Sequence, residues 1–447
     1  MPQLTLESAL SKFTERFSVS AETTRRGKQL VPGGYSRNSF NFGPHAIFVD
    51  RGEGAHIETI DGHLLLDLNN NFTVNVLGHN HPAVRTALEE AISTGISFGN
   101  PGTLESRLAQ ILIDRIPSVE RVQFSCSATE SCMSAVRVAR GYTGRTKIAK
   151  FEGGYHGFSD ALHVSSHTAP DDDGGPDGSP KSVPDSGGIP DSDVKNTIQL
   201  PQNDWDSCER ILRGNAHEIA CLIMELQSGS GGLVTLEQGF VEKLRALTYE
   251  LGIVLIFDET ISLRAGFHGM QGVYGVTPDL TVTGKMIGGG LPLGALGGSS
   301  EVMSVLEGGD VSISGTHHGH KLALAAGIAC METMDEASFD TLNAHSRRIM
   351  DELNSWAQSK GSPFVVYGGG FSHMAYGYMR APGVYPRNHR DYWRIVDGER
   401  TQAISIELAN RGIFPVHRGE FSLSLAMSDE DISTIITTFA GIVSDLS

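Results

Sequence analysis

The stretch IVLIFDET at residues 253–260, followed by VTGKMIGGG at residues 282–290, decides the fold that we predict for this chain. In each stretch a short apolar run, typical of a buried strand, leads into a polar residue, Asp258 in the first and Lys285 in the second. A strand in an open α/β sheet delivers the residues at its carboxyl end into the ligand crevice. The two stretches therefore predict a carboxylate and a lysine at one edge of a sheet.

Other apolar runs of this kind occur through the middle of the chain, at residues 121–124, 147–149 and 220–224, and helical patterns such as 130–140 and 240–251 lie between them. This alternation predicts an α/β fold in which a mainly parallel sheet is flanked by helices. The chain has 53 glycines among 447 residues, well above the average of about 7%. Several glycine clusters follow the predicted strands, where such sheets bind ligands.

Composition excludes several classes of protein. The chain has 35 Lys+Arg against 52 Asp+Glu, a formal net charge of −17, which argues against a nucleic-acid-binding groove. No apolar stretch approaches the roughly 20 residues of a membrane span, and the first residues contain no apolar signal core. Five cysteines without a CxxC pair fit reduced thiols. We therefore expect a cytoplasmic protein that binds neither nucleic acid nor membrane.

The pattern predicts two domains. Residues 71–334 carry the strand and helix alternation and form a large domain, whereas residues 1–70 and 335–447 mix helices with short strands and together form a smaller α+β domain. Residues 169–194 are polar, have few large apolar side chains and predict a surface loop. A lid that becomes ordered with a ligand is the alternative interpretation of this loop.

Lys285 and Asp258 together also predict a chemistry. A lysine at the mouth of a largely apolar pocket loses its proton more readily than a free lysine, as Schiff-base formation requires. A carboxylate opposite it suits the protonated ring nitrogen of pyridoxal phosphate (PLP). Each residue alone is ordinary, because an Asp after a strand often caps a helix and a Gly-Lys turn is usually only a turn. The two residues together, with the glycines at 288–290, are a far more specific signal for a PLP site.

A phosphate site is predicted at residues 125–133, SCSATESCM. Ser127 and Glu130 match a capping box at the start of a helix. A helix N-terminus with small hydroxyl residues offers N–H donors and the positive end of the helix dipole to a phosphate. An N-cap without a ligand is the alternative interpretation, and the presence of Lys285 favours the phosphate.

Over residues 25–440 the sequence resembles the class III PLP-dependent aminotransferases of fold type I, in the branch that contains glutamate-1-semialdehyde aminomutase. The resemblance rests on LGHNHP at 77–82, AVRVARGYTG at 135–144, GYHG at 154–157, FDE at 257–259, GVTPDL at 275–280 with GK at 284–285, and SGT at 314–316. It implies a seven-stranded sheet, PLP as cofactor and a homodimer with active sites at its interface.

The resemblance also implies roles for individual residues. Lys285 would bind the cofactor as an internal aldimine and move protons, and Asp258 would keep the pyridine nitrogen protonated. The other cofactor contacts that it implies are Ser127, Ala128 and Thr129 at the phosphate, Tyr155 stacked over the ring, Glu225 after the middle strand, and Thr316, whose hydroxyl reaches the phosphate in the neighbouring subunit. Ala128 stands where the family usually has glycine, and Leu226 where it usually has proline.

Two arginines bear on the substrate. Arg37 lies in the glycine turn PGGYSRN at 32–38, and Arg418 lies in VHRGEF at 416–421. Both turns, and SLRAGFHG at 262–269, resemble β-phenylalanine aminotransferases, in which the first arginine holds the carboxylate of the β-amino acid and the second that of the 2-oxo acid. Guanidinium groups bind carboxylates bidentately, which suits both roles. Surface salt bridges are the alternative role for these arginines.

The activity that the resemblance implies is transfer of an amino group from a β-amino acid, aromatic or related, to a 2-oxo acid in two ping-pong half-reactions. An aminomutase of the glutamate-1-semialdehyde type is one alternative, although residues 169–194 differ from the short glycine-rich gate of that branch. A catalytically idle relative that only binds is the other. We expect no metal, because the histidines of HHGH at 317–320 lack acidic or cysteine neighbours in the sequence.

Overall fold

The computed structural model describes residues 4–40, 43–169 and 172–446, which form two compact units. The large unit comprises residues 82–340 and 386–394, and the small unit comprises the rest of the described chain. The domain boundaries predicted from the sequence are instead 70/71 and 334/335. The structure groups residues 71–81 with the small unit and residues 386–394 with the large one.

A seven-stranded sheet forms the core of the large unit. Its strands in chain order are β1 (Arg121–Ser125), β2 (Lys147–Phe151), β3 (Thr197–Leu200), β4 (Ile219–Met224), β5 (Val254–Asp258), β6 (Leu280–Thr283) and β7 (Gly294–Gly298). The order across the sheet is β1-β7-β6-β5-β4-β2-β3. Strand β7 runs antiparallel to both of its neighbours, whereas the other paired strands are parallel. The mainly parallel sheet predicted from the sequence is confirmed.

Helix α1 (Ala128–Thr143) packs against this sheet through an apolar face that includes Ala135, Val138 and Ala139, all fully buried. The other helices that lie wholly in the large unit are Pro82–Ser93, Thr103–Arg115, Asp191–Lys195, Trp205–Asn215, Gln238–Leu251, Gly269–Tyr274, Ser300–Met303 and Lys321–Thr333. Helices Glu336–Ser359 and His389–Ile395 cross the residue boundaries of the units. Short 3-10 turns occur at Ser262–Ala265, Lys285–Gly288 and Ser304–Leu306, and Gln227–Ser228 pairs with Val234–Thr235.

Strands from both ends of the chain share one sheet in the small unit. Val49–Glu53, His56–Thr59 and Leu64–Asp67 form an antiparallel meander, and Ile413–Phe414 joins it parallel to Leu64–Asp67. Phe364–Tyr367, His373–Tyr378 and Glu420–Ser422 form a second, antiparallel sheet. The helices and 3-10 turns are Leu6–Arg16, Ser18–Gly27, Pro32–Gly34, Asn38–Phe40, Asn70–Thr73, Gly398–Asn410 and Asp429–Asp445. This α+β unit is built from both termini, as the fold prediction states.

A buried ion pair holds the polar segment 169–194 in the part that the structure describes. The Arg390 guanidinium donates to both carboxylate oxygens of Glu152, at 2.7 and 3.0 Å, and both side chains are buried. It also donates to the carbonyl oxygens of Gly174 and Gly175 and to Asp177. The segment is therefore fastened to the large unit. The surface loop stays the prediction for this segment, and a lid stays the alternative interpretation.

The helices and the cysteines of the described chain bear on the expectations drawn from composition. Of the described helices, none is long and apolar enough to cross a membrane. All five cysteines are free thiols, and four of them are buried. Burial raises the pKa of the Cys221 and Cys330 thiols to about 12, so these two are inert at neutral pH.

Candidate active site

The predicted carboxylate and lysine lie at the ends of two adjacent strands. Asp258 is the last residue of β5 and pairs in register with Val282 of β6. Lys285 follows the end of β6 after one intervening residue, Gly284. Since β5 and β6 are parallel, both side chains belong to the same edge of the sheet.

The backbone of Lys285 is strained. Its φ of 51° lies in the left-handed region, which residues other than glycine rarely adopt and which costs about 1–3 kcal/mol. Lys285 opens a 3-10 turn directly after Gly284. A Cβ on Gly284 would lie 2.9 Å from the Cβ of Ala128, so only glycine allows the lysine-bearing turn to lie so close to the start of helix α1. Strain of this kind is characteristic of functional sites.

Three groups donate hydrogen bonds to the Asp258 carboxylate, which is 4% exposed. His156 Nδ1 lies 2.9 Å and Cys132 Sγ 3.4 Å from Oδ2, and the Thr260 backbone N–H donates to Oδ1 at 3.0 Å. Burial favours the neutral acid, but the bonds from His156 and Thr260 outweigh it and hold the pKa of Asp258 below its usual value. Asp258 is therefore ionised and fixed in orientation.

His156 is fully enclosed, and burial lowers the pKa of its imidazole although the Asp258 carboxylate opposes this shift. A neutral ring has one donor nitrogen, and the 2.9 Å contact assigns that proton to Nδ1. His156 thus orients the carboxylate without neutralising its charge. His156 and Cys132 are not among the site residues predicted from the sequence. His156 could have been found, because it lies in the GYHG motif beside Tyr155, whereas nothing in the sequence singles out Cys132.

Glu225 follows β4, and its carboxylate accepts hydrogen bonds from two backbone N–H groups. One carboxylate oxygen accepts the Tyr155 backbone N–H at 2.9 Å and the other accepts the Gly229 N–H at 3.2 Å. Burial and the negative charge of Asp258 raise the pKa of Glu225 to about 8, although the two N–H bonds and the positive charge of Lys285 partly oppose them. The Tyr155 ring, 37% exposed, lies edge-on to His163 at 6.2 Å.

Glu225 should make the stability of the protein without cofactor depend on pH. Its pKa is raised in the folded state, so its contribution is fully present below the ordinary pKa of 4.5 and is lost as pH rises through about 8. We expect Glu225→Gln, which stays neutral, to show a smaller fall in Tm between about pH 5 and about pH 9 than the parent protein. Thermal melts of the cofactor-free proteins measure this difference. Glu15→Gln, an exposed helical position, is the control, and equal falls in both variants would contradict the prediction.

The predicted phosphate residues open helix α1. Ser127 is its N-cap, and Ser127 Oγ accepts the Glu130 N–H at 3.3 Å. The Glu130 carboxylate returns to the N–H of Cys126, at 2.7 Å, so the reciprocal bond of the predicted capping box goes one residue further back. Ala128 and Thr129 are the first helical residues, whose N–H groups are directed outward from the helix end. This end of the helix can hold a phosphate.

A glycine brings the tyrosine turn to the same helix end. Gly157 has a φ of 88°, and a Cβ there would lie 2.5 Å from Thr129 Oγ1. The turn that carries Tyr155 and His156 therefore lies against the start of helix α1. Together, Lys285, Asp258, Glu225, Tyr155 and the 127–129 helix start form one continuous cluster in the large unit.

Thr316 lies exposed on a turn that also contacts the start of helix α1. His318 Nε2 on this turn lies 3.5 Å from the Glu130 carboxylate. Cys126 belongs to the same group, whose ligand-type atoms lie within 4.8 Å of one another. The sequence argument that acidic and cysteine residues are distant from HHGH therefore holds along the chain but is wrong in space.

Arg37 and Arg418 belong to the small unit and meet at one aromatic ring. The Arg37 guanidinium carbon lies 4.7 Å and that of Arg418 5.9 Å from the centre of the Phe72 ring. Arg418 is carried by a tight turn in which Gly419 has a φ of 76° and Val416 bridges to Glu420. Phe72 is not among the site residues predicted from the sequence.

The side chains and backbone groups of the large-unit cluster suit the ring nitrogen, the phosphate and the aldehyde of PLP. An ionised, buried carboxylate with a lowered pKa suits a protonated ring nitrogen, a helix N-terminus suits a phosphate, and a lysine at the same sheet edge suits the aldehyde. Tyr155 supplies an aromatic face. The fold and this site define a PLP-dependent enzyme of fold type I.

The chain belongs to the class-III aminotransferase family, whose model matches residues 38–370. It is a PLP-dependent aminotransferase, and its cofactor is pyridoxal 5′-phosphate. A glutamate-1-semialdehyde 2,1-aminomutase from Geobacillus kaustophilus (strain HTA426) is 38% identical over 415 residues, which are 91% of this chain and 94% of that protein.

Two solved structures are also similar over nearly the whole chain. An omega-transaminase from Sphaerobacter thermophilus is 35% identical, with a TM-score of 0.90 over 96% of this chain and 97% of that one. A β-phenylalanine aminotransferase from Variovorax paradoxus is 28% identical, with a TM-score of 0.87 over 98% of this chain and 96% of that one. Both similarities support the assignment of fold type I.

Proposed function

We propose that the protein transfers the amino group of a β-amino acid, aromatic or related, to a 2-oxo acid by a ping-pong cycle. The observation that carries the proposal is the pair of guanidinium groups, Arg37 and Arg418, on one aromatic ring. Guanidinium forks match carboxylates, and both the donor and the acceptor of this reaction carry one. The similarity to a β-phenylalanine aminotransferase supports the same donor class.

The residues of the large unit divide the chemistry among them. PLP, when bound, supplies an electron sink that stabilises negative charge on the amine-bearing carbon. Lys285 Nζ takes the proton from that carbon and returns it later in the cycle, as a general acid and base. Asp258 would hold the proton on the ring nitrogen of bound PLP, and His156 and Cys132 hold Asp258 in place. The first N–H groups of helix α1 and the hydroxyls of Ser127 and Thr129 bind the phosphate.

The proposal is tested by the products formed from β-phenylalanine with and without 2-oxoglutarate. We expect glutamate to accumulate only when both substrates are present. An aminomutase would instead isomerise glutamate-1-semialdehyde without any 2-oxo acid. Absence of glutamate with every β-amino acid supplied would contradict the proposal.

Arg418 is proposed to bind the carboxylate of the 2-oxo acid. Charge-assisted hydrogen bonds are worth about 1.5–3 kcal/mol, so Arg418→Met is expected to raise KM for the 2-oxo acid roughly 10- to 150-fold. The donor half-reaction, followed without acceptor by the loss of the yellow cofactor colour, should change much less. Arg400→Met, a partly exposed arginine of the same unit, is the matched control. An unchanged KM in Arg418→Met would exclude this role.

The aminomutase is the second candidate function. It is favoured by the 38% identity over 91% of the chain to a glutamate-1-semialdehyde 2,1-aminomutase. The described part of segment 169–194 is fastened by Arg390 through Gly174, Gly175 and Asp177. We therefore favour an enzyme that exchanges its two substrates over one that retains an intermediate behind a moving gate.

We also propose a homodimer in which Thr316 reaches the phosphate of the partner's cofactor. Apolar side chains exposed on the large unit support an interface, since contiguous patches of this kind mark association sites. They include Ile92, Ile96 and Phe98, at 51%, 51% and 61% exposure. Sedimentation velocity of the holoenzyme tests the dimer. A monomer at assay concentration that is fully active would contradict it.

A further inference from the structure

Four consecutive residues of the small unit adopt the left-handed conformation. Asn70, Asn71, Phe72 and Thr73 have φ values of 49°, 50°, 54° and 76°, and none of them is glycine. A left-handed helical residue costs roughly 1–2 kcal/mol, so a whole turn is expensive. Such a turn persists only where its surroundings determine it completely, and strain of this kind accompanies function.

Buried hydrogen bonds determine this turn. Asp67 Oδ1 accepts the N–H groups of Asn69 and Asn70 at 2.8 and 3.0 Å. Asn69 Oδ1 accepts the Phe72 N–H at 2.8 Å. Asn70 is fully buried, and its side-chain amide donates to the Ser422 carbonyl at 2.8 Å. The turn is therefore anchored at its base, while Asn71 and Phe72 project from it.

The two projecting residues, Asn71 and Phe72, contact the proposed substrate-binding arginines. Asn71 Oδ1 accepts a hydrogen bond from Arg37 Nη1 at 2.7 Å. The Phe72 ring has the guanidinium carbons of Arg37 and Arg418 at 4.7 and 5.9 Å from its centre, within the range of about 6 Å for cation–π attraction. The two guanidinium carbons thus lie no farther apart than the sum of these distances. Like charges at such a separation repel, and the negative ring face offsets part of that repulsion.

We propose that Phe72 is a positioning residue that sets the spacing of the two guanidinium groups, and so determines the preference of the enzyme for carboxylate-bearing substrates. The inference rests on the proposed substrate roles of Arg37 and Arg418. In the described part of the chain, the Phe40 ring also lies under Arg37, 5.0 Å from its guanidinium carbon, whereas the Phe72 ring lies near both arginines. The cost of the left-handed turn is thereby explained, because a relaxed turn would direct the ring elsewhere.

Phe72→Leu tests the inference, since leucine is apolar but has no ring quadrupole. The donor half-reaction is followed without acceptor for β-phenylalanine and for 1-phenylethylamine, an amine without a carboxylate. Cation–π attraction of about 0.5–2 kcal/mol predicts a roughly 2- to 30-fold rise in the half-saturating concentration of β-phenylalanine. The maximal rate, and both constants for 1-phenylethylamine, should be unchanged. An equal loss with both amines, or no loss with either, would overturn the inference.

A second readout does not depend on turnover. The stabilisation of the holoenzyme by 2-oxoglutarate, measured as a shift in Tm, is expected to be smaller in Phe72→Leu than in the parent protein at the same concentration. Equal shifts would overturn the inference even if the parent protein transaminates none of the substrates tested, an outcome that would contradict the proposed function alone. Tyr249→Leu removes an exposed aromatic side chain that also lies near an arginine, and serves as the matched control.

Discussion

Replacing Lys285 with alanine is expected to lower kcat/KM by about 10⁴-fold or more, because the variant loses both its covalent attachment to the cofactor and its proton carrier. Lys285 lies at the same sheet edge as Asp258, and its positive charge acts on Glu225. The variant should also lack the yellow colour of the lysine-bound cofactor. Borohydride reduction followed by peptide mapping measures this directly, since the parent protein should carry the cofactor on Lys285 after reduction.

Peptide mapping also distinguishes Lys285 from Lys150, a second lysine that could carry the cofactor. It lies on β2, is fully buried, and burial lowers its pKa to about 8, so its amine is also a candidate nucleophile. Its Nζ, however, donates to the Val164 carbonyl at 2.6 Å, which occupies the amine in a structural bond. Peptide mapping that located the cofactor on Lys150 would contradict the assignment of Lys285. Lys195→Ala, an exposed position, should keep full activity.

Replacing Asp258 with asparagine is expected to lower kcat by roughly 10²- to 10⁴-fold with little change in the fold. Asparagine has the same shape and can still accept a bond from Thr260 or His156, but it carries no charge to hold a proton on the ring nitrogen. Steady-state kinetics and circular dichroism of the holoenzyme measure the two effects. A variant that kept more than about half of kcat would contradict the role of Asp258.

Glu259, the residue next to Asp258, is the control for this prediction. Glu259 is fully buried, but it accepts the backbone N–H groups of Met270 and Gln271 and the side-chain amide of Gln271 at 2.7–3.0 Å. These contacts give it a structural role, so Glu259→Gln should lower Tm and leave kcat per folded molecule near that of the parent. If Glu259→Gln lost kcat as strongly as Asp258→Asn, the loss could not be assigned to the ring nitrogen.

Most of the sheet was predictable because five of its seven strands have a local signal. A short apolar run predicts strands β1, β2, β4, β5 and β6, and the structure confirms them. The shared location of Asp258 and Lys285 was also predictable, because the parallel strands β5 and β6 have their carboxyl ends at the same edge of the sheet. Strand β7, GALGG, carries no such signal, because it contains three glycines among five residues. It pairs antiparallel with β6, the strand before it, and with β1, which lies far earlier in the chain.

The parts of the site that the sequence does not reveal depend on long-range contacts. Cys132 faces Asp258 across 126 residues, and no local pattern distinguishes that cysteine from the others on an apolar helix face. Asn70 and Asn71 tolerate the left-handed region as single residues, but nothing in the sequence predicts four consecutive left-handed residues that include Phe72 and Thr73. Its conformation comes from Asp67 and Ser422, and the latter is 352 residues away.

The Arg390–Glu152 pair has a consequence for how this chain can be recombined with its relatives. In a chimera that joins the first 340 residues of this enzyme to a C-terminal part without an arginine at this position, Glu152 would lose a partner that lies 238 residues away. Leaving one buried member of such a pair alone costs about 3–5 kcal/mol. The small unit is therefore not an interchangeable module, and exchange of it between relatives must leave residues 386–394 with the parent sheet.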